Sequence, residues 1–141
     1  MKLFYIAGPF RGPTPWIVEN NIRETEALGL LVGQAGGLPV IPHAMYRFFD
    51  KVLPDQFWLE GTTDLLMRCD ALVLHPSWQK SSGSKAELAL AQKRGFPVLD
   101  FAKFVPVLAR VDASFSSLVK PFVDAVNAGY QAESGKTWSP R

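Results

Sequence analysis

Residues 70–76 read Asp70-Ala71-Leu72-Val73-Leu74-His75-Pro76. Four consecutive apolar positions, closed off by His-Pro, describe a short strand buried on both faces, as in the middle of a parallel sheet. Downstream, Ser77 to Gly83 is a polar loop and Ser84 to Arg94 a helix stopped at Gly95. Phe96-Pro97-Val98-Leu99-Asp100-Phe101 is a further strand. Upstream, a helical pattern runs from about Asp55 to Cys69, and Leu38-Pro39-Val40-Ile41-Pro42 is a strand that tolerates its early proline near the start. Trp16 to Ala35 places Val18, Ile22, Leu28, Leu31 and Val32 at helical spacing before Gly36-Gly37 stops it. The chain opens on Lys2-Leu3-Phe4-Tyr5-Ile6-Ala7, a strand ended by Gly8-Pro9. This alternation predicts an α/β fold: a three-layer, Rossmann-like or flavodoxin-like open parallel sheet of four to five strands with helices on both faces.

The remaining segments are less periodic. Met45 to Trp58 is aromatic-rich and reads as a loop with one turn of helix, and Phe115 to Ala128 reads as a helix. Residues 1–130 are expected to form one domain and residues 131–141 a polar C-terminal tail that frays.

With 141 residues there is material for one core. Apolar residues at 48% and charged residues at 20% describe an ordinary globular chain, and a net charge of +2 argues against a nucleic-acid surface. One Cys and two His exclude a disulfide framework and leave little for a zinc site, so neither metal nor other cofactor is expected. No apolar run approaches the roughly 20 residues that span a bilayer. A cytoplasmic protein without membrane contact is the expectation.

Open parallel sheets bind ligands where loops leave the C-terminal strand ends, which directs attention to the loops after Ala7, Pro42 and Pro76. In the first, Gly8 and Gly12 allow close backbone approach, Pro9 and Phe10 shape the turn, and Arg11 offers a charged fork to a phosphate or carboxylate. His43 stands at the edge of the second strand, where packing is the commoner role for a lone His. The third loop carries Ser81-Ser82-Gly83-Ser84-Lys85-Ala86-Glu87. Ser84 and Glu87 have capping-box spacing, which would make both purely structural. The alternative places Glu87 in the first helical turn at the ligand edge as a nucleophile, with Ser81 and Gly83 beside an anion. Trp78, with Tyr46, Phe48, Phe49, Phe57 and Trp58, is available to stack on a base. Glu60 and Asp64 share a helix face at i, i+4 spacing, Asp70 reads as a structural cap at a strand start, and Cys69 as a small core residue.

Over roughly residues 3–101 these motifs resemble the nucleoside 2-deoxyribosyltransferase superfamily, including its 2'-deoxynucleoside 5'-phosphate N-hydrolases and small phage and bacterial members. The resemblance rests on Tyr5, Gly8, Arg11 and Gly12 after the first strand, and on Ser81, Gly83 and Glu87 after the third. It implies cleavage or transfer at the N-glycosidic bond of a 2'-deoxynucleoside or its 5'-monophosphate through a Glu87 glycosyl-enzyme. Tyr5 would orient Glu87, while Gly8, Arg11 and Ser81 would line the sugar or phosphate end. Thr62 stands where the superfamily has an Asp assisting the leaving base, so Asp64, or else Glu60, is expected to enter the site instead. The resemblance further implies a homodimer or larger homo-oligomer, which would bury the Met45 to Trp58 stretch, with Phe57 and Trp58 as anchors. Other readings are a nucleotide-binding or sensing domain without turnover, favoured by Thr62, and a nucleoside-monophosphate phosphoribohydrolase, disfavoured by missing glycines.

Overall fold

Four strands form one all-parallel sheet in the order β2-β1-β3-β4, in a computed structural model that describes residues 1–104 and 111–140. Residues 105–110 of the expected domain and Arg141 of the expected tail lie outside the described residues. β1 is Leu3–Ala7, β2 Leu38–Val40, β3 Ala71–Leu74 and β4 Val98–Asp100. Register pairs Tyr5 with Leu72 and Ala7 with Leu74.

Successive side chains of a strand point to opposite faces, and that alternation sorts the two cores. Phe4, Ile6, Ala71, Val73 and Leu99 face α1 (Pro15–Gln34) and α5 (Ser116–Asn127). Tyr5, Ala7, Leu72, Leu74 and Val98 face the other way and pack with Leu66 of α3 (Asp55–Met67) and Ala91 of α4 (Ser82–Arg94). Helices therefore cover both faces of a three-layer α/β sandwich. Phe4, Leu28 and Phe122 are fully buried in the first core, where truncating Leu28 to Ala would cost about 2–5 kcal/mol.

Local chemistry sets the helix ends. The Thr14 hydroxyl accepts from Ile17 N at 3.2 Å and Pro15 opens α1, while α4 closes on Gly95 at φ 72°, a left-handed cap that favours glycine. At its other end α4 begins at Ser82, because Ser81 Oγ accepts from Ser84 N at 3.1 Å. Ser81 is thus the cap, and the capping box that the Ser84 and Glu87 spacing left open does not form. Pro42 leaves the strand and opens a one-turn helix, α2 (Pro42–Met45). Asp70 holds the start of β1, accepting from Leu3 N at 2.7 Å. Part of the expected polar tail is anchored: Trp138 N donates to the Val98 carbonyl at 2.8 Å, and its ring packs on Phe122.

Candidate active site

The chain leaves β1 and β3 side by side, and in this strand order the crevice outside their carboxyl ends is the topological switch point. His75 N donates to the Ala7 carbonyl at 2.8 Å, drawing the two loops together. Gly8 is required there, since a Cβ would lie 2.8 Å from His75 Cβ and 3.0 Å from Thr25 Cγ2. His75 is itself buried. Its Nδ1 accepts from Ser77 N and its Nε2 donates to Glu24, both at 2.9 Å. Burial pushes its pKa down to about 4, so at neutral pH it is an uncharged tether between β3 and α1.

Beyond these loops lies a cavity of about 500 Å³, whose wall includes Tyr5, the Gly8 to Arg11 loop, His43, Thr62, the Lys80 to Ser84 loop and Glu87. Strand alternation turns Tyr5 toward the α3/α4 layer. On α4, Ser84, Glu87, Leu88 and Ala91 recur at i, i+3, i+4 and i+7 along the sheet-facing stripe. Glu87 is the one carboxylate on that stripe, six residues in from its cap and so in the second turn rather than the first. The Tyr5 hydroxyl donates to Glu87 Oε1 at 2.6 Å. Burial raises the Glu87 carboxyl to about 7, partly offset by the Tyr5 hydrogen bond. Burial and the adjacent Glu87 charge push the Tyr5 phenol well above its usual range, so it stays a donor. The pair presents an oriented carboxylate that titrates near neutrality, a state suited to nucleophilic attack.

Three further features shape the cavity. Arg11 reaches Asp55 at 2.6 Å, an exposed ion pair linking the first loop to the start of α3. His43 Nε2 lies 2.9 Å from the Gly8 carbonyl, to which it donates, and burial lowers its pKa to about 4. It is a neutral positioning group for the Gly8 loop rather than a base. Tyr46 and Trp58 pack at 5.1 Å with their rings tilted by 39°, and Phe10 meets His43 edge-on at 5.5 Å, so aromatic rings form part of the wall.

Of the residues singled out from the sequence, Tyr5, Gly8, Pro9, Phe10, Arg11, His43, Ser81, Gly83 and Glu87 converge on this cavity. Glu60 and Asp64 do not. Thr62 is on the wall, and at about 100° per residue a position two away on either side lies about 200° round the helix. Both carboxylates are accordingly exposed, Glu60 accepting from Gln56 at 2.7 Å. Trp78 packs into the second core with its Nε1 donating to Asp100 at 2.7 Å, a demand of indole burial that takes it off the wall. Gly12 lies beside Ile17, outside the cavity lining. The sequence reading missed Asp50, Asp55 and Lys80 as wall residues. Asp55, Trp58, Leu59 and Thr62 recur at i, i+3, i+4 and i+7, so the position of Thr62 was the signal that could have found Asp55 and, with it, Leu59.

A family model described as a domain of unknown function, DUF7768, matches residues 2–101, the span from β1 through β4. The chain belongs to that family. Every cavity residue named above lies inside the DUF7768 match. No curated protein matches the chain. Among solved structures, a conserved protein from Enterococcus faecalis V583 is similar over 90% of this chain and 96% of that one, with a TM-score of 0.56 and 14% identity. At that identity the likeness extends to the fold. Among the described residues, no helix is long and apolar enough to cross a membrane, and no three His, Cys, Asp or Glu side chains gather as a metal site.

Proposed function

We propose that this chain cleaves or transfers at the N-glycosidic bond of a 2'-deoxynucleoside or its 5'-monophosphate. The observation that carries the reading is the 2.6 Å hydrogen bond from Tyr5 to Glu87 inside the switch-point cavity, with Glu87 raised to about 7. The motif resemblance at Tyr5, Gly8, Arg11, Ser81, Gly83 and Glu87 supports it. Glu87 attacks C1' through an oxocarbenium-like transition state, the base departs, and water or a second base then releases the sugar from the Glu87 ester. A 2'-deoxy sugar suits this course because no electron-withdrawing 2'-hydroxyl opposes positive charge at C1'. Tyr5 keeps one carboxylate oxygen occupied, leaving the other to react. Lys80, Ser81 and the first turn of α4 favour an anionic sugar end, and Arg11, at the rim, would have to exchange its Asp55 partner for a phosphate to join them. Tyr46, Phe10 and Trp58 supply aromatic surface for a base.

A second reading, nucleotide binding without turnover, is favoured by Thr62 on the wall and by the exposure of Glu60 and Asp64. Incubation with a panel of deoxynucleosides and their monophosphates, with and without an acceptor base, separates the two. Release of free base supports hydrolysis, a new nucleoside supports transfer, and retention of every substrate with measurable affinity establishes the binder. We also propose that the site works in a homodimer or larger homo-oligomer. Phe48 at 84% exposure and Phe57 at 53% leave an apolar surface next to the cavity that self-association would cover. Trp58, expected as a second anchor, instead packs against Tyr46 in the cavity wall.

A further inference from the structure

The cavity wall is divided by charge. Lys80 and the serines at 81, 82 and 84 come from the start of α4 and the loop before it, whereas Tyr46 and Asp50 of the α2–α3 connection and Asp55 and Trp58 of α3 form another side. Asp50 and Asp55 are exposed, so their charge is open to a ligand. Arg11 offsets part of it. The guanidinium is paired with Asp55 at 2.6 Å, and Asp55 first and Asp50 after it make it hold its proton more firmly. Two carboxylates against one guanidinium leave that side negative, and aromatic side chains beside negative charge are surroundings that suit a flat cation.

Among the described residues of the wall, the groups around a departing base are also poorly placed to give it a proton. The Thr62 hydroxyl donates to the Trp58 carbonyl at 2.8 Å, and a hydroxyl has no acidity to offer near neutral pH. Tyr5 has its proton committed to Glu87 at 2.6 Å. His43 is neutral and donates to the Gly8 carbonyl at 2.9 Å, and Asp55 is ionised in its pair with Arg11. A neutral base must be protonated or depart as an anion. A base that is already a cation departs neutral and needs no acid.

We infer that the substrate is a 2'-deoxynucleoside, or its 5'-monophosphate, whose base carries a positive charge through N-alkylation and sits against the Asp50 and Asp55 side of the cavity. The inference rests on the N-glycosidase reading above and names the class of base. A Glu87 carboxylate oxygen forms the bond to C1', and the C1'–N electron pair passes into the base and cancels its charge, so the alkylated base leaves without taking a proton. Water then adds to C1', which frees the Glu87 carboxylate and releases one proton to solvent.

The test compares 7-methyl-2'-deoxyguanosine with 2'-deoxyguanosine, and 3-methyl-2'-deoxycytidine with 2'-deoxycytidine, at pH 7. Each enzymatic rate is divided by the spontaneous hydrolysis rate of the same compound, which removes the intrinsic lability of the methylated forms. In at least one pair the methylated compound is expected to keep a kcat/KM higher by about 10-fold or more. Asp50→Asn removes a charge at an exposed position and is expected to cut that preference about 3- to 5-fold. Thr62→Asp places an acid on the α3 wall and is expected to raise cleavage of the unmodified compound relative to the methylated one by about 10-fold or more. A native protein that favours the unmodified compounds, or a preference that Asp50→Asn leaves unchanged, would overturn the charged-base substrate while the N-glycosidase reading stands. A native protein that cleaves none of the four compounds would overturn that reading and the inference with it.

Discussion

Replacing Glu87 by Gln should stabilise the protein above neutral pH while abolishing its chemistry. In the folded protein the carboxyl is raised by burial from 4.5 to about 7, and it returns to its ordinary value on unfolding. At about 1.36 kcal/mol per pH unit, the folded state bears up to about 3 kcal/mol for ionising this group. Because the folded pKa is the higher one, the contribution of Glu87 to stability is fully present below about pH 4.5 and is lost progressively as the pH rises to about 7. Glu87→Gln still accepts from the Tyr5 hydroxyl and has no charge to bury, so it escapes this loss. Urea unfolding of both proteins at pH 4.5 and pH 8 reads the effect. The variant should match the native protein at the lower pH and exceed it by as much as about 3 kcal/mol at the higher, or up to about 10 °C in Tm for a chain of this size. A variant destabilised by about 1 kcal/mol at both pH values would instead signify that the native carboxyl carries no ionisation cost in the folded state, and would refute the reasoning.

Tyr5→Phe removes the hydrogen bond that holds the Glu87 pKa down, so the acid limb of the pH–rate profile should move above about 7 and kcat should fall about 10-fold or more. An unmoved limb would exclude coupling of the pair. Arg11→Ala breaks an exposed ion pair with Asp55 and should change stability by less than about 1 kcal/mol. It should also raise KM for a deoxynucleoside monophosphate more than for the matching nucleoside, and equal KM changes would remove Arg11 from phosphate recognition. Phe57→Ala, at the exposed aromatic surface, should shift light scattering toward a smaller species. A native protein that is already monomeric at assay concentration, with full activity, would refute the oligomer.

The layers of the fold were legible because each central strand carries its own evidence. The Ala71-Leu72-Val73-Leu74 run has no polar position, and a strand flanked on both faces by helices needs none. The Tyr5 to Glu87 pair was legible in part: both residues were identified, but their contact depends on Tyr5 facing the α3/α4 layer, which pleat and topology together decide. Helix phase was harder to read. An i, i+4 pair such as Glu60 and Asp64 shares a face wherever it falls, and only packing reveals that Thr62 between them is the residue turned inward. Ser84 and Glu87 fit a capping box, yet Ser81, three residues earlier, competes for the same helix start and wins. The Trp78 position depends on Asp100, 22 residues away, as its hydrogen-bond partner, a pairing no local pattern encodes. Trp138 likewise reads as part of a polar tail until β4 and Phe122 are placed beneath it.

The central claim is that Glu87 forms a bond to the sugar. Native protein mixed with its fastest deoxynucleoside substrate and quenched rapidly in acid should show, by intact-protein mass spectrometry, the mass of one added 2-deoxyribosyl unit. Peptide mapping should place it on Glu87, and Glu87→Gln should neither carry it nor release base. An adduct on another residue, or base release by Glu87→Gln at the native rate, would contradict the account.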